Sequence, residues 1–183
     1  MTMASRGFVG FVTDHTEKIA YNHFDSGPDG IGLLVLAWLR TAAKTPDLLR
    51  ERVAALRVVR SDTRPTVEDI ERLGEYADDL SSCGVTSWVE LLWKTQGGPE
   101  AMLRAGVIED ASCYPVESSD CEWGYLVDLD TQVFEVYRGR QAAPHNRGRF
   151  ATRPHPHDHY PAALVTGWRF DQLPSDEEFL TTL

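Results

Sequence analysis

The sequence predicts an α+β fold in which a single antiparallel sheet is covered by helices, and three observations support this. The chain has 183 residues, a length typical of one domain, so we assign 1–183 to a single domain. Segments with the Phe and Val content and the alternation of β-strands occur near both ends of the chain. The middle instead carries apolar residues at helical spacing. Strands that bracket a helical middle are typical of α+β folds.

Two hairpins and a last strand form the predicted sheet. The first hairpin covers 7–24, with a polar turn at Asp14-His15-Thr16. The second covers 123–137, with its turn at Asp130-Thr131, and the last strand covers 162–170. These segments would pair in one antiparallel sheet.

The helices are predicted from apolar spacing and from capping signals at their starts. They begin with Thr or Ser three residues before an acidic residue, or with Pro at the first helical position. The predicted helices are Gly30–Ala43, Thr45 to Val59, a third from Thr66 to Tyr76, a fourth from Ser87, a fifth from Gly98 to Gly106 and a last one from Ser175.

Two segments show neither the alternation of a strand nor the apolar spacing of a helix. Residues 1–5 are predicted to be a flexible tail. The stretch 141–161 is rich in Pro, Arg and His, and we expect a long loop that is the most mobile internal segment.

Composition narrows the possible functions. The net charge is −10, which makes nucleic acid an improbable partner because phosphate binding needs a basic face. The longest apolar run, Ile31 to Leu39, is too short to span a bilayer, so no membrane association is expected. Three Cys without a CxxC pair, and an N-terminus without an apolar leader, indicate reduced thiols in the cytoplasm.

The densest polar group lies where the first hairpin meets the first helix. If the strand continues, Tyr21, His23 and Asp25 project to one face. A His and a carboxylate on one face can act as an acid–base pair, with Tyr21 orienting them. The catalytic hypothesis therefore names these three residues.

The same turn could bind a small anionic ligand. Asn22 and Ser26 supply polar side chains, and Gly30 and Gly32 let backbone approach a ligand at a helix N-terminus. The structural alternative is that Asp25 and Ser26 form the turn and that the glycines allow tight packing.

The chain also resembles a known group of proteins. Arg6-Gly7-Phe8 opens the first strand, the segment 21–32 reads Tyr-Asn-His-Phe-Asp-Ser-Gly-Pro-Asp-Gly-Ile-Gly, and Val127-Asp-Leu-Asp130 is followed by Glu135-Val-Tyr137. These motifs resemble a loose family of uncharacterised bacterial and phage proteins. Gly27 stands where that family usually has Tyr. The resemblance implies a phage-related protein and no known activity.

A second candidate is the segment His155-Pro-His157-Asp-His159, whose three His project to one side if the chain is extended. It resembles the HxHxDH element of metallo-β-lactamase-type hydrolases with one residue missing before Asp158. The surrounding prolines indicate an exposed loop, so adventitious metal binding is expected rather than a native site.

No complete catalytic or cofactor motif is present, and neither GxSxG nor a P-loop occurs. We therefore expect no cofactor and a binding or interaction protein, whose partner is an unknown protein or a small anionic ligand. The alternative is a small-molecule hydrolase or transferase centred on His23 and Asp25. A second alternative is a metal-dependent enzyme that uses the three His.

Overall fold

The computed structural model describes residues 5–78, 84–155 and 159–183, and within these ranges the fold is α+β, as predicted. The strands are β1 (Gly7–Thr13), β2 (Thr16–Asn22), β3 (Arg57–Val59), β4 (Val107–Glu109), β5 (Trp123–Asp128), β6 (Val133–Arg138) and β7 (Ala163–Arg169). The α-helices are α1 (Leu33–Ala42), α2 (Pro46–Ala55), α3 (Val67–Leu73), α4 (Trp88–Leu91), α5 (Pro99–Ala105) and α6 (Asp176–Thr182). None of the helices in these ranges is long and apolar enough to cross a membrane.

The main sheet has the strand order β2-β1-β5-β6-β7, so both predicted hairpins and the last strand lie in it. Its neighbours pair antiparallel except for β1 and β5, which run parallel from Gly7 opposite Trp123 to Val12 opposite Asp128. The expectation of a purely antiparallel sheet is corrected at this pair. The helical middle returns the chain to the end of the sheet where β1 begins, and such a crossover produces parallel pairing.

A second, two-stranded parallel sheet, β3-β4, replaces the end of a predicted helix. The helix expected to reach Val59 stops at Ala55. There the Lys18 ammonium group, which projects from β2, donates to the carbonyl oxygens of Val53 and Leu56 at 2.8 and 2.7 Å. A cation that binds the last carbonyl oxygens stabilises a helix end, so a residue distant in sequence stabilises the end of α2.

Both faces of the main sheet are covered. Val9, Phe11 and Tyr125 lie on the face against α1, α2, α5 and α6. Phe8 and Tyr137 lie on the opposite face, where Phe150 packs against both rings. Successive residues of each strand therefore point into two different cores, because side chains of a strand alternate between the two faces of the sheet.

The predicted long loop is irregular in its described part, yet contacts hold it against the sheet. Phe150 is fully buried. Arg149 donates to Asp128 and, at 2.8 Å, to Glu135, and Arg153 donates to Glu17 at 2.6 Å. Arg149, Phe150 and Arg153 therefore attach the loop to the sheet. The expectation that this segment is the most mobile internal one stays a prediction.

The turn between β1 and β2 is held from outside by one carboxylate. Asp14 and His15 both have positive φ, at 49° and 59°, the conformation of a two-residue type I′ turn. Neither is Gly, so the conformation costs about 1 kcal/mol per residue. Asp130 accepts both of their backbone N–H groups, at 2.9 and 2.8 Å, and also pairs with Arg50 at 2.9 Å.

Asp130→Ala should lower the free energy of unfolding by about 2 kcal/mol at pH 7, since it removes charge-assisted hydrogen bonds to two backbone groups. Asp130→Asn, which keeps an acceptor oxygen, should lose less. The N–H of His15 first, and then Arg50, hold the pKa of Asp130 below its usual value. Its contribution is therefore present above the unfolded pKa and lost as pH falls through the folded one. Urea unfolding at pH 7 and pH 3 measures this contribution. If the free energies of unfolding of wild type and Asp130→Ala differ by the same amount at both pH values, the prediction is contradicted.

Candidate functional site

The strand-to-helix turn is closed by its own backbone. The amides of Gly30 and Gly32 both donate to the carbonyl oxygen of Gly27 at 3.1 Å, and the amide of Ile31 donates to that of Asp25 at 2.9 Å. These N–H groups are therefore not free for an anion. The amides that the ligand-binding hypothesis assigned to an anion are thus paired within the turn, and ligand binding at Gly30 and Gly32 stays a prediction.

The two glycines are required for packing instead. A Cβ on Gly30 would lie 2.4 Å from the Asp25 carboxylate and 2.5 Å from its carbonyl oxygen. A Cβ on Gly32 would lie 2.9 Å from the Tyr125 hydroxyl and 3.0 Å from the Phe179 ring. Three of these four distances are shorter than real Cβ contacts and the fourth is tight, so the structural alternative explains the Pro-x-Gly-x-Gly pattern.

Asn22 and Ser26, the other predicted ligand-binding residues, face inward. Each is only 1% exposed. The Asn22 amide nitrogen donates to the carbonyl oxygen of Phe24, and the Tyr125 hydroxyl donates to that of Ser26 at 2.8 Å. Asn22 Oδ1 and Ser26 Oγ have no partner within the described residues. The Asn22 side chain therefore supports the turn from behind, and neither side chain is accessible to a ligand at the surface.

The structure brings together two of the three predicted catalytic residues. The Tyr21 hydroxyl lies 3.0 Å from His23 Nδ1. Asp25 is exposed, has a positive φ of 46°, and makes no hydrogen bond or ion pair with His23 among the described residues. The strand ends at Asn22, so its alternation does not extend to Asp25. Tyr21 and His23 are therefore adjacent, whereas His23 and Asp25 share no hydrogen bond within the described residues, and their catalytic role stays a prediction.

Gly30→Ala should destabilise the protein by about 3 kcal/mol, because the added methyl group meets backbone that cannot move aside without breaking the turn. Gly98→Ala is the matched control, since the nearest atom to its added Cβ is 3.5 Å away. Thermal unfolding of both variants measures the difference. Equal stability would show that the turn is not the tightly packed scaffold described above.

An aromatic rim lies beside Tyr21, formed by His23, Phe24 and Trp93. The three ring centroids are 4.7 to 5.4 Å apart. Phe24 is 46% exposed, which is unusual for a large apolar ring. The rim thus presents aromatic surface to solvent on the outer side of the sheet.

A small cleft, which we call the β2 cleft, lies on the other side of Tyr21, between β2, α4 and β4. Its volume is about 50 Å³. Its apolar lining consists of Ala20, Val89, Leu92, Ile108 and Ala111, and its polar lining of Tyr21, Thr95, Gln96 and Glu109. Tyr21 joins the cleft to the aromatic rim through its hydrogen bond with His23.

Two polar groups of the β2 cleft have no partner. Gln96 Oε1 is buried without a hydrogen bond, and the Gln96 amide nitrogen makes none either within the described residues. Glu109 likewise forms no ion pair or hydrogen bond with a described side chain or backbone group. Burial raises the pKa of Glu109 above its usual value, with no neighbouring charge to offset it. Unpaired polar groups in a partly apolar cleft cost stability, so they suggest a binding role.

Sequence reasoning missed Gln96, Glu109 and Trp93. Glu109 follows the apolar pair Val107-Ile108, and Gln96 precedes Gly97-Gly98, and neither context marks a site. The residues that surround them are far apart along the chain, so no local spacing could have shown the cleft.

A second concavity of about 330 Å³ is a shallow groove lined by Arg60, Ser61, Asp62, Asp110, Ser112 and Cys113. Arg60 pairs with Asp62 at 2.6 Å, and Asp110 accepts the backbone N–H of Ser112 at 2.9 Å. Burial raises the pKa of the Cys113 thiol, which makes it a weak nucleophile at neutral pH. The polar groups of the groove are therefore better paired than those of the β2 cleft.

The predicted metal site falls partly outside the described residues, since His157 is not among them. His155 contacts the Tyr160 ring, with centroids 4.9 Å apart, and His159 is exposed. Within the described ranges alone, no group of three His, Cys, Asp or Glu is placed to hold a metal ion.

In comparisons with known proteins, no family model, curated sequence or solved structure matches this chain.

Glu109→Gln should raise the melting temperature at pH 7. A carboxyl whose folded pKa lies above its unfolded value destabilises the fold at pH values above both, and the destabilisation disappears as pH falls below them. The variant and the wild type should therefore converge at pH 4. Thermal scans at the two pH values test this. A lower melting temperature for Glu109→Gln at pH 7 would mean that Glu109 has a stabilising partner.

Proposed function

We propose that this chain is a binding or interaction protein that contacts a partner through the β2 cleft and the aromatic rim. The observation that carries the proposal is the size of the cleft, about 50 Å³. Pockets that enclose a whole small molecule measure about 300–1,000 Å³. The cleft instead has room for the end of one side chain, and the exposed rings beside it offer the apolar contact area that protein interfaces favour.

The strand-to-helix turn supports this proposal indirectly. Its amides, its glycines and the buried Asn22 and Ser26 all have structural roles. A ligand at the turn would have to displace backbone hydrogen bonds, whereas a partner at the β2 cleft displaces none.

A hydrolase or transferase remains the second candidate, and one observation favours it. The Tyr21–His23 hydrogen bond of 3.0 Å could orient an imidazole for general base catalysis. The Tyr21–His23 pair lacks a carboxylate that would stabilise the protonated imidazole, because Asp25 is not hydrogen-bonded to His23. In addition, His23 does not line the cleft.

We also propose a cytoplasmic, phage-related protein. Cys113 and Cys121 are free, which fits a reducing compartment. The motif resemblance supports the phage relation, and the structure explains those motifs without requiring an activity.

Selection of a random heptapeptide library against the immobilised protein tests the proposal, because it does not require the partner to be identified. Enriched peptides should bind the wild type and lose affinity at least tenfold, about 1.4 kcal/mol, for Phe24→Ala. The matched control is Leu180→Ala on α6, where Leu180 is 41% exposed and should not matter.

The enzyme alternative is tested on the same preparations with chromogenic carboxyl ester, phosphoester and amide substrates. The proposal predicts no turnover that depends on His23. Turnover lost in His23→Ala, or enriched peptides that bind Phe24→Ala as tightly as wild type, would contradict the proposal.

A further inference from the structure

We infer that the β2 cleft receives an arginine side chain of a protein partner, with an apolar residue beside it on the aromatic rim. This inference rests on the proposed function and specifies the chemistry of its partner.

The first argument is the set of unpaired acceptors. Glu109 has no cation beside it in the described part of the chain, and Gln96 Oε1 is buried without a donor. A guanidinium group carries five N–H donors in a planar fork and no acceptor. It would satisfy both oxygens and neutralise the carboxylate, which a neutral or anionic group would not.

The second argument is the shape and lining of the cleft. A volume of about 50 Å³ fits the end of a side chain and excludes a whole peptide. The apolar lining from Ala20, Leu92 and Ile108 suits the methylene stem of a long cationic side chain, which packs on apolar surface while its charged end binds.

The third argument is the adjoining aromatic surface. Trp93 and Phe24 stand beside the cleft, with their centroids 5.4 Å apart and Phe24 exposed. Aromatic faces attract guanidinium groups and also bury apolar side chains. Arginine is preferred over lysine in the cleft because its guanidinium group is less strongly hydrated and presents several donors in one plane.

The fourth argument is the overall charge. A net charge of −10 attracts a basic segment and repels an acidic one. For this cleft, the small anionic ligand expected from the sequence is therefore the less favourable occupant.

The test uses four blocked dipeptides titrated into ¹⁵N-labelled protein: the N-acetyl, C-amide forms of Arg-Leu, Lys-Leu, citrulline-Leu and Glu-Leu. Citrulline keeps the shape of arginine without the charge. Arg-Leu should shift the amide signals of Gln96, Glu109 and Ala111. Its affinity should exceed that of citrulline-Leu by about tenfold, as expected for a charge-assisted hydrogen bond. Lys-Leu should bind more weakly than Arg-Leu, and Glu-Leu weakest of all.

Glu109→Gln should reduce the affinity for Arg-Leu about tenfold. Glu51→Gln is the matched control, because Glu51 is an exposed residue of α2 whose removal changes the net charge equally. A loss of affinity for Arg-Leu in Glu109→Gln but not in Glu51→Gln supports the inference. Equal loss in both variants, equal binding of citrulline-Leu and Arg-Leu, or no shift at the cleft with Arg-Leu would overturn it.

The two proposals can fail separately. If library peptides without a basic residue bind at the cleft and depend on Phe24, the arginine inference fails and the proposed function stands. If no peptide binds there, both fail.

Discussion

The parallel pairing of β1 with β5 is the constraint on which the rest of the structure depends. This seam joins the two hairpins, and a contact fixes it at each end. At one end Asp130 accepts the backbone N–H groups of Asp14 and His15. At the other end the Tyr125 hydroxyl, which projects from β5, donates to the carbonyl oxygen of Ser26 in the turn that follows β2. The helical middle therefore leaves the sheet after β2 and re-enters it at β5 at the same end, where β1 begins.

This constraint explains why the most conspicuous sequence motifs have structural roles. Asp128 caps the turn after β5 by accepting the amides of Asp130 and Thr131, and it also binds Arg149 of the long loop. Gly32 makes room for the Tyr125 hydroxyl of the seam, and Gly30 makes room for Asp25 within the turn. The unpaired polar groups of the β2 cleft, Gln96 Oε1 and the Glu109 carboxylate, belong to residues that no sequence motif marks. A protein that binds a partner through a few unpaired groups is consistent with this division, since binding sites commonly sacrifice stability.

The sequence predicted the local features of the fold and missed those that depend on distant residues. Alternating Phe and Val residues predicted the hairpins, and the capping boxes at Thr66 and Ser87 are formed as their spacing indicated. The early end of α2 is stabilised by Lys18, a residue of another element. The parallel pair depended on the path of the whole helical middle. At the candidate site, Tyr21 and His23 were predictable from strand alternation, whereas Glu109 joins them only after β4 packs next to β2.

Native-state hydrogen exchange measured residue by residue tests the central claim that the turn at 25–32 belongs to the seam. The amides of Ile31 and Gly32 should exchange only through global unfolding, with the same free energy as the amides of β1 and β5, because opening the turn would release the end of the seam. The protection of the turn amides and of the strand amides should then fall together with increasing denaturant. Exchange of the turn amides through a local opening of low free energy, while β1 and β5 stay protected, would contradict the account and make the turn available as a site.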